Sequence, residues 1–209
     1  MSKSILAATA AAALALALVS AAPAVAQLPP GVFAGEHDYK AAPAGTYTVD
    51  PAHTAVISKV SHIGYSMSVF RFDKVDGTLT WDPAQPAKSA LNVSAETASI
   101  STPVPGFAAE LSGDKYLNSA AFPKATFVST AFHQIDASHG KVDGQFTLMG
   151  KTAPMTLNVT LVGAGKGFFN HARIGAHAEG ELQTADFGLP ALLGSTIQIV
   201  MDTEFERQG

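Results

Sequence analysis

Apolar and polar residues alternate along most of this chain after Gly45. Met155, Leu157, Val159 and Leu161 share one parity, with Thr156, Asn158 and Thr160 on the other. Leu91, Val93 and Ala95 alternate with Asn92, Ser94 and Glu96. Ile197, Ile199 and Met201 alternate with Gln198 and Asp202, although the apolar Val200 falls on their polar side. A period of two marks a strand with one buried face. Gly, Pro, Asn or Asp separates these runs, so the series predicts an all-β chain, an antiparallel β-barrel or sandwich. Between Ala172 and Leu182 the two faces are especially distinct. Ala172, Ile174, Ala176, Ala178, Gly180 and Leu182 form an apolar face, whereas Arg173, Gly175, His177, Glu179 and Glu181 form a wet one.

One stretch breaks the rhythm. Phe107-Ala-Ala-Glu-Leu111 is rich in helix formers and sets Phe107 and Leu111 four residues apart, which predicts one short helix. It must end before Phe122-Pro123, because the residue preceding a proline avoids the α region. Another feature recurs: Lys74-Val75-Asp76-Gly77-Thr78-Leu79-Thr80 is echoed by Lys141-Val142-Asp143-Gly144-Gln145-Phe146-Thr147. A glycine inside a strand relieves crowding at a bend or lets something approach the backbone closely. Two chance-similar hairpin strands would explain the echo equally well.

Two segments precede the strands. Lys3, an Ala/Leu-rich run from Ile5 to Val19 and the small-x-small triplet Ala24-Val25-Ala26 have the form of a secretory signal peptide over residues 1–26. Cleavage after Ala26 would release a chain expected in the periplasm. Residues 27–45 carry Pro29, Pro30 and Pro43 without a hydrophobic period and read as a flexible arm. The barrel domain is expected over residues 46–206.

Composition then removes several kinds of function. The formal charge is −4, and losing Lys3 with the signal makes it more negative, so neither nucleic acid nor an anionic membrane is an expected electrostatic partner. Without cysteine there are no disulfides, thiolate metal sites or covalent c-type haem. The seven histidines form no His-x-His and no His-Glu-x-x-His. His53 and His62 bracket one strand, too far apart to chelate together, and are expected to hydrogen-bond at a rim or turn. Gly-x-Ser-x-Gly, dinucleotide and P-loop motifs are also missing. No enzyme activity, metal or cofactor is expected.

The size of the inward residues bears on binding. The Ala172–Leu182 face is mostly Ala and Gly and is expected to meet Gly77, Gly144 and Ala95. A barrel of about eight strands either fills with large side chains or holds one ligand. Small inward residues favour a lumen, while a taper that offsets Phe146, Trp81 and Phe127 would leave the barrel filled.

The order Tyr47-Thr-Val-Asp50-Pro51-Ala-His53-Thr54, Val60-Ser-His62-Ile-Gly64, Phe70-Arg-Phe72 and Val75-Asp-Gly77-Thr-Leu79 resembles the opening of the YceI-like family. Phe122-Pro123, Gly144-Gln-Phe-Thr-Leu148-Met-Gly150-Lys-Thr152-Ala-Pro154 and Asp186-Phe187-Gly188 continue the likeness to about Phe205. The resemblance implies a lipocalin-like β-barrel that holds a long-chain isoprenoid lipid, a polyprenyl chain or an isoprenoid quinone, as an exported carrier or store. Three positions depart from the family pattern. Ser58 replaces a usual aromatic residue, Phe70 a usual Gly, and Thr184 an Arg common before Asp-Phe-Gly. The residues expected to line the lumen are Val60, His62, Gly77, Leu79, Trp81, Val93, Phe127, Gly144, Phe146, Leu157, Val159, Ile174, Ala176, Ala178 and Ile199. The alternative is a stress-related envelope protein with a filled barrel that works through protein contacts. Monomer and homodimer both remain open.

Overall fold

The computed structural model describes residues 28–167 and 170–208. The signal segment and Phe168-Phe169 lie outside the described residues. Eleven strands form one antiparallel sheet: β1 (Gly45–Val49), β2 (Ala55–His62), β3 (Ser66–Phe72), β4 (Val75–Trp81), β5 (Ala90–Glu96), β6 (Ile100–Ser101), β7 (Lys124–Gln134), β8 (His139–Leu148), β9 (Lys151–Lys166), β10 (Ala172–Gln183) and β11 (Thr196–Arg207). Two short helices accompany them, α1 (Phe107–Ser112) and α2 (Thr184–Phe187). The expected helix at Phe107 is therefore present, and it buries Leu111.

Eight strands close into a barrel in the order β1, β4, β5, β7, β8, β9, β10, β11, with β11 returning to β1. Closure removes the open edges that a flat sheet would leave. The expected all-β barrel is the observed fold.

The closing strand divides its pairing. Phe205 to Arg207 of β11 bond with β1, whereas Ile197 to Asp202 bond with β2. The division falls at Asp50-Pro51. Asp50 Oδ1 accepts from the Ala52 N–H at 3.0 Å, and Pro51 opens a 3-10 turn that ends at His53. Proline supplies no N–H to a ladder, so the strand stops there and restarts as β2. From this point β2 and β3 run on as a hairpin beyond the closed ring. On its far side β3 meets β6 only through Arg71 and Phe72. The hairpin end is called the upper end below.

Hairpin chemistry sets the register elsewhere. Met149 (φ 51°) and Gly150 (φ 72°) make the two-residue turn between β8 and β9. Pro154 interrupts nothing, because β10 pairs with β9 only from Asn158 onward. Inside, Tyr47, Leu79, Leu157, Ile174, Phe187 and Phe205 belong to one buried cluster.

The segment expected to be a flexible arm is seated on the barrel in its second half. Glu36 and Ala164 exchange both backbone hydrogen bonds, at 2.8 and 2.9 Å. Gly35 lies so close to Gly163 that a Cβ there would stand 2.7 Å from its Cα, a contact only glycine permits. Ala42 is fully buried, and the Tyr39 ring meets Trp81 edge-on at 6.2 Å. These contacts lay residues 35–42 as a strap across the lower end.

Candidate functional site

Two cavities lie in series inside the barrel. The upper has a volume of about 430 Å³ and reaches the hairpin end. The lower has about 130 Å³ and lies under the Tyr39 strap. Leu157 and Met201 line both and form the partition between them.

The upper cavity draws its wall from alternate residues of several strands. Val56, Ser58 and Val60 come from β2, Ser68, Phe70 and Phe72 from β3, and Ile197, Ile199 and Met201 from β11. The opposite wall includes Val93 of β5, Phe127 of β7 and Phe146 of β8. Phe107 of α1 packs against Phe70 with ring centroids 6.1 Å apart and covers the side where β3 lacks a strand partner. Phe187 of α2 meets Phe146 edge-on at 5.6 Å. No Lys, Arg, Asp or Glu lines this cavity; its polar groups are hydroxyls and the His62 imidazole. A volume of this size is typical of small-molecule sites, which measure about 300–1,000 Å³.

Of the fifteen residues expected to line a lumen, thirteen line one or both of the two spaces. Val60, His62, Val93, Phe127, Phe146, Leu157 and Ile199 line the upper cavity. Leu79, Trp81, Val159, Ile174, Ala176 and Ala178 line the lower one, together with Leu157. Gly77 and Gly144 line neither. Their missing Cβ makes room for neighbours: at Gly77 it would stand 2.7 Å from Val93 Cγ1, and at Gly144 2.4 Å from Phe127 Cζ. The neighbouring strand's backbone stands as close, the Asn92 carbonyl oxygen at 2.5 Å from the Gly77 position and that of Val128 at 2.6 Å from the Gly144 position.

The small face of β10 borders the smaller cavity. The larger space is bounded mainly by Val, Ile, Leu and Phe, with Ser58, Ser68, Ala95 and Ala125 among them, and includes residues of β2, the strand for which β11 exchanges β1. Several wall residues escaped the sequence reading, among them Ser58, Phe107, Leu111, Tyr116, Leu189 and Leu193. Phe107 and Leu111 carried a helix signal, but nothing local indicated that this helix would cover a cavity. The Leu189 and Leu193 loop shows no period at all.

The histidines fall into distinct settings. His62 closes the hairpin turn through its backbone, its carbonyl accepting from the Tyr65 N–H at 3.0 Å. The His62 ring lines the upper cavity at its exposed end and makes no hydrogen bond among the described residues. His53 lines neither cavity and bonds Asp50 at 2.9 Å. His177 bonds Asp202 at 2.7 Å on the wet face of β10, and this pairing raises its pKa against the opposing effect of partial burial.

Asp50, His53 and Glu204 bring ligand-type atoms within 4.8 Å of one another on the outer surface. A guanidinium already fills this cluster. Arg173 Nη1 donates to Asp50 and Glu204, and Nη2 to Glu206, each at 2.7 Å. Burial by itself would raise the Asp50 pKa, but the hydrogen bonds from Arg173, His53 and the Ala52 N–H outweigh it and hold the carboxyl at about 2. The cluster is an ion-pair clamp that ties the β1–β2 break to β10 and β11.

Sequence comparison identifies the family. The model described as YceI-like domain matches residues 47–205. The chain belongs to the YceI-like family. Protein YceI of Escherichia coli O157:H7 is 35% identical over 159 residues, covering 75% of this chain and 83% of that protein. Protein YceI of Salmonella arizonae is 34% identical over the same shares. Among solved structures, Burkholderia cenocepacia BcnA superposes with a TM-score of 0.66 at 21% identity, over 75% of this chain and 98% of its own. A Saccharophagus degradans domain described as polyisoprenoid binding and implicated in plant cell wall breakdown gives 0.57 at 16% identity, over 78% and 98%. These two likenesses bear on the barrel fold. No described helix is long and apolar enough to cross a membrane.

Proposed function

We propose that this chain binds a long apolar isoprenoid, a polyprenyl chain or an isoprenoid quinone, inside the barrel and carries or stores it after export to the periplasm. The observation that carries the reading is the upper cavity of about 430 Å³ with no charged residue in its wall. An apolar wall rewards chain length, at about 0.8 kcal/mol for each CH₂ taken from water. A five-carbon unit would then contribute roughly 3–4 kcal/mol before ordering and association costs. Only hydroxyls and His62 are available for a head group, which suits an alcohol or a quinone oxygen better than a bare charge. The family membership and the description of the Saccharophagus domain support the same ligand class. They also favour a binding protein over an enzyme. A filled barrel acting only through protein contacts accords less well with two internal spaces in series.

Native mass spectrometry of protein purified from its own host tests the reading. An apolar mass that co-purifies and leaves on denaturation is expected; a clean apoprotein after recovery in mild, detergent-free buffer would overturn it. Export has its own measurement. Amino-terminal sequencing of the soluble envelope fraction should begin at Gln27, and an intact Met1 on cytoplasmic protein would sink the localisation.

A further inference from the structure

The rim of the upper cavity is apolar outside as well as inside. Ile63 of the β2–β3 turn, Val104 of the loop before α1 and Leu192 of the segment after α2 all line the cavity, yet each leaves over half its surface in solvent. Tyr65, beside Ile63, is 89% exposed, and Met67 and Val69 extend the apolar surface along the outer face of β3. None of the chain's 13 Lys and Arg or 17 Asp and Glu residues falls within 60–70, 97–109 or 187–201, the segments that carry Ile63, Val104 and Leu192. The charges nearest in sequence to the wall residues Leu111, Tyr116 and Leu117 are the exposed Glu110, Asp114 and Lys115. The lower end is different: Asp136, His139 and Lys141 stand around the smaller cavity. A soluble domain seldom groups exposed apolar side chains without an occupant for them.

The turn itself is unusual. Ile63 (φ 53°) and Gly64 (φ 79°) are the central residues of the β-turn closed by the Tyr65 N–H on the His62 carbonyl, within a three-residue loop between paired His62 and Ser66, and positive φ at both favours Asn or Gly. A β-branched residue rarely adopts positive φ. Here one does, and its side chain is held out at the mouth instead of in the core.

We propose that this rim is a membrane-docking surface. It seats the cavity mouth at the boundary between head groups and acyl chains of an uncharged bilayer, so that an isoprenoid tail moves between lipid and lumen without crossing water. The inference rests on the lumen reading above. Such a cargo dissolves in a bilayer and not in water, so its portal must open onto lipid, whereas a second copy seated here would seal the mouth. Apolar side chains from separate loops, with a tyrosine among them, suit the interfacial layer, where amphipathic rings are enriched. The acidic chain gains nothing from an anionic surface, so attachment is apolar and insensitive to salt.

The test uses the mature chain, a Tyr65→Asp/Met67→Asp double variant and an Ile135→Asp control. Tyr65 and Met67 are exposed and line neither cavity. Ile135 is 61% exposed in the turn between β7 and β8 at the opposite end. Three quantities are measured: flotation with phosphatidylcholine vesicles, the rate at which a pyrene-labelled polyprenol leaves those vesicles for protein, and uptake of farnesol from solution. Wild type and Ile135→Asp should float at low and high salt alike. In the double variant flotation and transfer rate should fall about tenfold or more, while farnesol uptake stays unchanged. Transfer at the wild-type rate by the double variant would overturn docking and leave the lumen reading standing. A wild type that floats but takes up neither probe would sink the lumen reading and keep the docking surface. Flotation abolished by salt would overturn the proposal, as would a wild-type dimer that ignores vesicles and is split by the double substitution.

Discussion

A methyl group added at Gly144 would stand 2.4 Å from Phe127 Cζ and 2.6 Å from the Val128 carbonyl oxygen. The ring could turn aside, but the backbone oxygen on the neighbouring strand cannot. Gly144→Ala should therefore destabilise the barrel by about 1–3 kcal/mol, the usual cost of overpacking, and push Phe127 into the upper cavity. Urea unfolding reads the first effect and ligand retention the second; an unchanged midpoint would mean that the strands part more easily than this geometry allows. Asp50 makes a prediction of another kind. Its pKa is held at about 2, below the ordinary value of 3.8, so its contribution is complete above about pH 4 and is lost as the pH falls through about 2. With a side chain only 14% exposed, the group is worth roughly 2 kcal/mol. Asp50→Asn should lower the melting temperature at neutral pH and flatten its decline in acid. A parallel decline in both proteins would assign acid unfolding to other carboxylates. His53 works in the opposite sense: its pKa is raised chiefly by the hydrogen bond to Asp50, so what it adds is present in weak acid and lost above its folded pKa.

At the level of elements, the upper cavity takes part of its wall from β2 and β3. Ser58 of β2 is buried, pairs with Phe70 of β3 and faces the upper cavity. Ser58→Phe should fill part of the upper cavity. Because a cavity receives the ring, the apoprotein should melt within about 1 kcal/mol of wild type, whereas a packed core would lose more, and the co-purifying isoprenoid should shorten or vanish. Unfolding of the apoprotein would show instead that the hairpin closes over Ser58. Ala176→Phe on β10 is the matching change in the lower cavity. It should remove only long tails and spare short ones, and equal loss of both would indicate one continuous lumen. The β10 parity that separates Ala176 from His177 was legible from alternation alone, because a strand's faces follow from local geometry. The identity of the larger cavity was not. Its wall includes β2, for which β11 exchanges β1, a pairing between residues far apart in sequence.

For the whole molecule, the question is how far a ligand reaches. Trp81 is the single tryptophan, lines the lower cavity and sits against Tyr39 of the strap, so its emission reports on that end alone. A polyprenol long enough to pass Leu157 and Met201 should shift the Trp81 spectrum, while farnesol should bind without doing so. An unchanged spectrum with bound polyprenol would confine the tail to the upper cavity. The strap lies across this end: residues 35–42 have no period, yet they bridge to β9 through Glu36 and bury Ala42. By itself the sequence determined the strands, the helix at Phe107, the break at Asp50-Pro51 and the wet and apolar faces of β10. Each of these depends on side-chain alternation, on a proline without an N–H or on apolar spacing within a few residues. It also carried the family likeness in the order of its motifs. Only the tertiary structure decided that Gly77 and Gly144 yield to Val93 and Phe127, that the lumen is divided at Leu157 and Met201, and that separate uncharged loops meet at one rim. Those outcomes depend on which strand lies beside which, and long-range pairing leaves no periodic trace in the chain.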